Sequence, residues 1–157
     1  MSQPESEAQD KATLIARLKD TDSEVRRAAA YALGKRQDTV ALDPLIEALR
    51  DQEPEVRIAA AYGLMHLGDE RAIPSLITCL DDEVENVRMS AASCLGDLST
   101  HPVDLLLDLL HDPARSAQAR APVAWILQGF SDERIVPALL RALGSIQARS
   151  SRDLFDS

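Results

Sequence analysis

Val25-Arg26-Arg27-Ala28-Ala29-Ala30-Tyr31-Ala32-Leu33-Gly34 returns 31 residues later as Val56-Arg57-Ile58-Ala59-Ala60-Ala61-Tyr62-Gly63-Leu64. It returns after another 31 as Val87-Arg88-Met89-Ser90-Ala91-Ala92-Ser93-Cys94-Leu95-Gly96. A fourth, blurred copy, Ala119-Arg120-Ala121-Pro122-Val123-Ala124-Trp125-Ile126-Leu127, is displaced by 32. A second segment keeps the same step between them: Leu14-Ile15-Ala16-Arg17-Leu18, Leu45-Ile46-Glu47-Ala48-Leu49 and Leu76-Ile77-Thr78-Cys79-Leu80, continued by Leu106, Leu107 and Leu110. Asp132-Glu133-Arg134-Ile135-Val136-Pro137-Ala138-Leu139-Leu140 restates Asp69-Glu70-Arg71-Ala72-Ile73-Pro74-Ser75-Leu76-Ile77. A fixed period near thirty residues marks a stacked array of small units.

Each unit reads as two helices, A then B. In the second B segment, Val56, Ala59, Ala60, Gly63, Leu64 and Leu67 follow the spacing of one helical face. Pro54 suits the first turn of its helix, where a missing N–H costs nothing. Gly34, Gly68 and Gly96 are expected to end helices in a left-handed conformation. Asp69 and Asp132 suit N-caps of the A helices that follow. A pair of about eleven-residue helices cannot bury its apolar side alone, whereas stacked copies can. The expected division is a disordered tail at 1–9, a repeat domain at 10–147 and a C-terminal tail at 148–157. Its units fall at about 10–37, 38–68, 69–99, 100–130 and 131–147.

These residues resemble the HEAT family, in particular the short HEAT-like repeat of phycobilin lyases. Its pattern is an aspartate closing helix A and a Val-Arg-x-x-Ala-Ala-x-x-Leu-Gly helix B. The resemblance implies an all-α, right-handed α–α superhelix of about four helix pairs plus a fifth A helix. It speaks to packing more than to function.

Composition agrees with a helical core and narrows the partners. Of 157 residues, 45% are apolar but only 3% aromatic, so Ala, Leu, Ile and Val must build the interior. The formal charge of −9 disfavours a general affinity for nucleic-acid phosphates. No stretch approaches a membrane span, and Met1-Ser2-Gln3-Pro4-Glu5-Ser6-Glu7 is unlike a signal peptide. The expectation is a cytoplasmic protein that binds neither nucleic acid nor membrane. Two cysteines are too few for a disulfide framework.

Charged residues recur at Asp20, Asp51, Asp82 and Asp112, and at Arg26, Arg57, Arg88 and Arg120. They read either as a functional stripe or as a structural ladder pinning the A–B turns of neighbouring repeats, and the family resemblance favours the ladder. More informative are the helix-B positions that do not repeat. Glu24, Arg27, Tyr31 and Lys35 form a stripe apart from the Val25/Ala29/Ala32 core face. The equivalent stripes are Glu55, Ile58, Tyr62 and His66; Asn86, Met89, Ser93 and Asp97; and Gln118, Ala121 and Trp125. In HEAT-like solenoids the B helices line the concave surface, so these residues are expected to floor one groove. Aromatics and Met exposed there are usual anchors of protein interfaces. The competing reading of Tyr31, Tyr62 and Trp125 is that they merely finish the core.

Chemistry finds little purchase. HEAT-like di-iron deoxyhypusine hydroxylases carry His-Glu pairs after the repeated Arg. This chain has Arg27-Ala28, Ile58-Ala59, Met89-Ser90 and Ala121-Pro122 there. His66, His101 and His111 share no metal-ligand spacing, so neither metal nor cofactor is expected. Cys79 and Cys94 stand where sister repeats carry Ala48 and Gly63, and read as small core fillers. HEAT-like alkylpurine DNA glycosylases use a basic groove, whereas here Arg27, Lys35 and Arg36 give way to Glu55 and Asp97. The expected function is therefore a non-catalytic scaffold that recognises a protein or peptide on its concave face. The runner-up is a phycobilin-lyase-like subunit holding a tetrapyrrole and its acceptor protein. A homodimer through the C-terminal end is a third option, because Ile135, Val136, Leu139, Leu140 and Leu143 lack a B partner. The Leu154-Phe155 pair either folds back over that end or docks elsewhere.

Overall fold

The structure is a computed structural model that describes residues 3–144, with side chains from residue 10 onward. Among the described residues every regular element is helical. The units run α1 (Gln3–Arg17) with α2 (Ser23–Lys35), α3 (Leu42–Ala48) with α4 (Pro54–Leu67), and α5 (Ile73–Cys79) with α6 (Glu85–Leu98). Then follow α7 (Pro102–His111) with α8 (Ala117–Leu127), and α9, helical over 135–144. Each A helix packs on its own B helix, and the B helices pack in series, α2 on α4, α4 on α6 and α6 on α8. This is a HEAT-type solenoid.

The repeat explains the core position by position. Leu33, Leu64, Leu95 and Leu127 are equivalent and all buried, as are Leu18, Leu49, Leu80 and Leu110. Interior leucines such as Leu64 and Leu95 contribute about 2 kcal/mol each by leaving water. The first unit shows what stacking adds. Val56 and Val87 are fully enclosed, whereas their counterpart Val25 is only half-buried, because no earlier unit covers it. The described array is open at its other end too: Val136, Leu140 and Leu143 on α9 are exposed.

Local chemistry sets the boundaries. Pro54 occupies the first turn of α4, and Gly68 ends that helix at φ 74°. A 3-10 turn precedes α3 (Thr39–Ala41) and another precedes α5 (Glu70–Ala72), leaving seven residues in each of these A helices against 14 in α4 and α6. Asp38 and Asp69 cap those turns by accepting the N–H groups of Val40 and Arg71. The Asp132 carboxylate accepts the Arg134 N–H ahead of α9.

Three expectations are corrected. Gly34 and Gly96 do not end their helices; both lie inside them, buried, and serve close packing. A Cβ on Gly34 would fall onto the Cα of Gly63, and one on Gly96 would stand 3.1 Å from Cγ2 of Ile126. The left-handed residue after α2 is instead Gln37, φ 52°, 31 residues before Gly68. Residues 3–9, expected in a disordered tail, form the first turns of α1. The expected tail at 148–157 lies outside the described residues.

Candidate functional site

The recurring arginines build the frame on which the site rests. Arg26 grips Asp51 of the next unit with two parallel hydrogen bonds, Nε to Oδ2 at 2.7 Å and Nη2 to Oδ1 at 2.9 Å. Its Nη1 donates to the backbone carbonyls of Asp20 and Thr21. Arg57 repeats the arrangement with Asp82, 2.9 Å from Nη2, and with the carbonyls of Asp51 and Gln52. Each rung thus joins an arginine to a carboxylate 25 residues ahead, while the aspartate six residues behind offers only its carbonyl. Burial pushes the Asp51 carboxyl up, but the Arg26 hydrogen bonds, the Glu53 N–H and the charges of Arg26 and Arg57 together hold it below its usual range.

The ladder stops after two such rungs. Arg88 holds the carbonyls of Asp82 and Glu83 but no carboxylate. Arg120 is 6% exposed and its Nε has no hydrogen-bond partner. The cause lies in the fourth A–B turn, where Asp112 and Arg120 stand eight residues apart instead of six. Arg115, which the sequence pattern did not reveal, takes over by pairing with Asp81 at 2.8 Å and reaching Asp112 at 3.4 Å.

Along the B helices, the stripe residues stand at the seams between successive helices and face outward to differing degrees. Arg27, Lys35, Glu55 and Asp97 are exposed, as are Tyr31 at 43% and Trp125 at 61%. Ile58, Tyr62, Met89 and Ser93 are half-buried, with Ile58 and Tyr62 resting on the core. None of the named stripe residues is enclosed. Tyr31 is held by its neighbours: the His66 ring meets its edge at 6.2 Å and the Lys35 ammonium sits 4.7 Å from its centroid. His66, on the stripe by its helical spacing, thus meets Tyr31 across α2 and α4, a contact between units that spacing within one helix does not show. Arg27 pairs with Glu24 at 2.5 Å, and that hydrogen bond lowers the Glu24 carboxyl.

Between α6 and α8, Met89 and Trp125 line one cleft together with Glu85, Arg88, Gln118 and Pro122. A second cleft opens on the far side of Trp125, between α8 and α9. Reactive groups are not concentrated at either place. Burial pushes the thiol of Cys79 up to about 11 and that of Cys94 to about 12. Among the described residues, no cluster of His, Cys, Asp and Glu is arranged to hold a metal ion. No described helix is long and apolar enough to cross a membrane.

The fold and its seams define a helical-repeat protein, and comparison makes the class specific. The HEAT repeats family matches residues 11–96 and 42–121, so the chain belongs to that family. Its structure is similar to a chain in the complex of CpcE and CpcF of phycocyanin lyase from Nostoc sp. PCC7120, with a TM-score of 0.58 and 27% identity. That match covers 85% of this chain and 63% of the other, so this chain spans less than two thirds of the protein it resembles. Human deoxyhypusine hydroxylase in complex with glycerol is also similar, at a TM-score of 0.48 and 25% identity, over 82% of this chain and 54% of that one. No curated protein matches the chain.

Proposed function

We propose that this chain is a non-catalytic scaffold that binds a protein or peptide along the concave face formed by its B helices. One observation carries the reading. Core positions on the B helices are filled mainly by Val, Ala and Leu, yet the neighbouring stripe still leaves Tyr31 and Trp125 exposed and Ile58, Tyr62 and Met89 half-exposed. Such side chains supply most of the binding energy in protein interfaces, and open apolar seams mark recognition surfaces. The charges around them change from Arg27 and Lys35 at one end to Glu55 and Asp97 further along, which suits a partner segment of mixed charge rather than a polyanion. Its expected site is cytoplasmic.

The test is capture of partners from a native lysate by the parent chain, by Tyr62→Ala and by Ile58→Asp. Both variants should lose a partner that the parent retains while keeping the helical circular dichroism signal. Unfolding of both would assign these residues to the core and remove the site.

A second reading has its own support, the similarity to the phycocyanin lyase complex. In it the stripe receives a tetrapyrrole together with an acceptor protein, and the aromatic side chains stack on the flat ligand. A shift in visible absorption when bilin is added, abolished by Tyr62→Ala, would favour this reading.

A further inference from the structure

Stacking covers the same positions in each interior unit, and the first unit leaves them open. Leu45 and Leu76 are fully enclosed, whereas their counterpart Leu14 is half-buried. Ala59 and Ser90 are buried, whereas Ala28 is exposed. Gly63 and Cys94 are buried, whereas Ala32 is half-buried. Together with Val25, the open residues line a cleft of about 600 Å³ on the outer side of α1 and α2. Val25, Ala28 and Ala32 are spaced by three and four residues, so they share one face of α2, apart from the stripe of Arg27 and Tyr31. Side chains this small let another helix come close.

Charge follows the same logic. Asp51 and Asp82 are each gripped by an arginine of the preceding unit. Their counterpart Asp20 is exposed, and its carboxylate accepts only the N–H of Asp22. At the other end of α2, Arg36 is exposed and reaches only Asp10, at 3.7 Å. Ala28 lies midway, eight residues from each. Two copies of α2 crossing antiparallel at Ala28 therefore match both ends at once. Arg36, about 12 Å along the helix from the crossing, then meets the turn that carries Asp20 of the second copy. Antiparallel helix dipoles favour the same arrangement. Glu24 also lines the cleft but is already paired with Arg27. Arg17 argues against an occupant stacked like an interior unit. It stands where Ala48 and Cys79 are buried, so such a unit would bury its charge.

We infer that the outer face of α2 is a self-association surface, on which a second copy of this chain packs antiparallel about a two-fold axis at Ala28. Arg36 of each copy pairs with Asp20 of the other. The contact uses one patch twice, the commonest arrangement in homo-oligomers. It places the dimer at the first unit rather than at α9, and on a face other than the stripe, so it stands apart from what the concave face binds.

Sedimentation velocity of the full chain over a range of concentrations tests this without any partner, with circular dichroism confirming the fold of each variant. The parent should pass from monomer to dimer as concentration rises. Ala28→Arg, at an exposed helix position, should leave it monomeric. Asp20→Arg alone and Arg36→Asp alone should each weaken the dimer by about tenfold or more, because each sets like charges together twice. An equimolar mixture of these two variants should recover the parent's association, since every contact in the mixed dimer again joins opposite charges. A parent that stays monomeric throughout would overturn the inference, as would a dimer that survives Ala28→Arg. A dimer lost on Leu140→Asp in α9 would assign the contact to the other end. Failure of the mixture to recover would overturn the antiparallel pairing of Arg36 with Asp20.

Discussion

The backbones of Gly34 and Gly63 meet directly: the Cα of Gly63 occupies the space that any side chain on Gly34 would need. The contact is reciprocal, since a Cβ on Gly63 would stand 2.8 Å from the carbonyl oxygen of Ala30, one turn before Gly34 on α2. This close approach sets the seam between α2 and α4, and so the distance between Tyr31 and His66 above it.

Gly34→Ala tests that seam. Alanine is intrinsically better than glycine inside a helix by about 1 kcal/mol. The obstacle here is backbone, which cannot swing aside, so overpacking should win. The expected loss is about 3 kcal/mol in urea unfolding. A neutral or stabilising result would mean that α2 and α4 do not approach so closely.

Arg57→Met tests the ladder. The substitution keeps much of the side-chain volume but strands the Asp82 carboxylate, half-buried, and frees the carbonyls of Asp51 and Gln52. Removing one member of such a pair should cost about 3 kcal/mol, measured by chemical denaturation. Arg71→Met, whose pairing with Asp69 is largely exposed, should cost less than about 1 kcal/mol.

Acid should loosen the protein through the same kind of paired carboxylate. Asp38 is held low by Lys11, Asp69 by Arg71, and Asp132, by the Arg134 side chain and N–H, at about 2. A carboxyl whose pKa is lower folded than unfolded binds protons more readily when unfolded. Its contribution is intact above the ordinary value near 4 and disappears as pH falls through the folded value. The melting temperature should therefore hold steady down to about pH 4 and fall modestly between there and about pH 2, since these pairs are exposed and screened by solvent. A flat profile across that window would contradict the pairings.

Gln37→Gly should stabilise the chain. Gln37 adopts φ 52° after α2, where a side chain costs about 1 kcal/mol and glycine does not. The substitution gives up one hydrogen bond, from Gln37 Nε2 to the His66 carbonyl at 3.2 Å, which is exposed and worth little. Glycine also leaves the unfolded chain freer, which offsets part of the relief, so the expected gain in thermal unfolding is about 0.5 kcal/mol. A loss of stability would show that the hydrogen bond outweighs the backbone strain.

How much of this the sequence reveals follows from what a period can encode. Positions such as Leu64 and Leu95 do the same job in every unit, so repetition exposes them and with them the fold. The stripe of Tyr31, Tyr62 and Met89 is legible by subtraction, as what remains once the core face is assigned. Glycine is ambiguous because it serves two ends, a left-handed turn at Gly68 and a close approach at Gly34, and the period does not separate them. The rungs are hidden for a related reason. Asp20 and Arg26 are near in sequence, but the carboxylate that Arg26 grips belongs to the following unit, a relation that stacking creates. Irregularity conceals the rest: two extra residues between Asp112 and Arg120 break the ladder and bring in Arg115.

Site-specific photo-crosslinking measures where a partner lies on the solenoid. A photoreactive phenylalanine analogue is placed at Tyr31, Tyr62 or Ser93 on the B helices, and at Asp43 or Thr78 on the A helices. Crosslinks to a partner should form from the first three positions and fail from the last two. Crosslinking from Asp43 or Thr78, with the B-helix positions silent, would contradict the account.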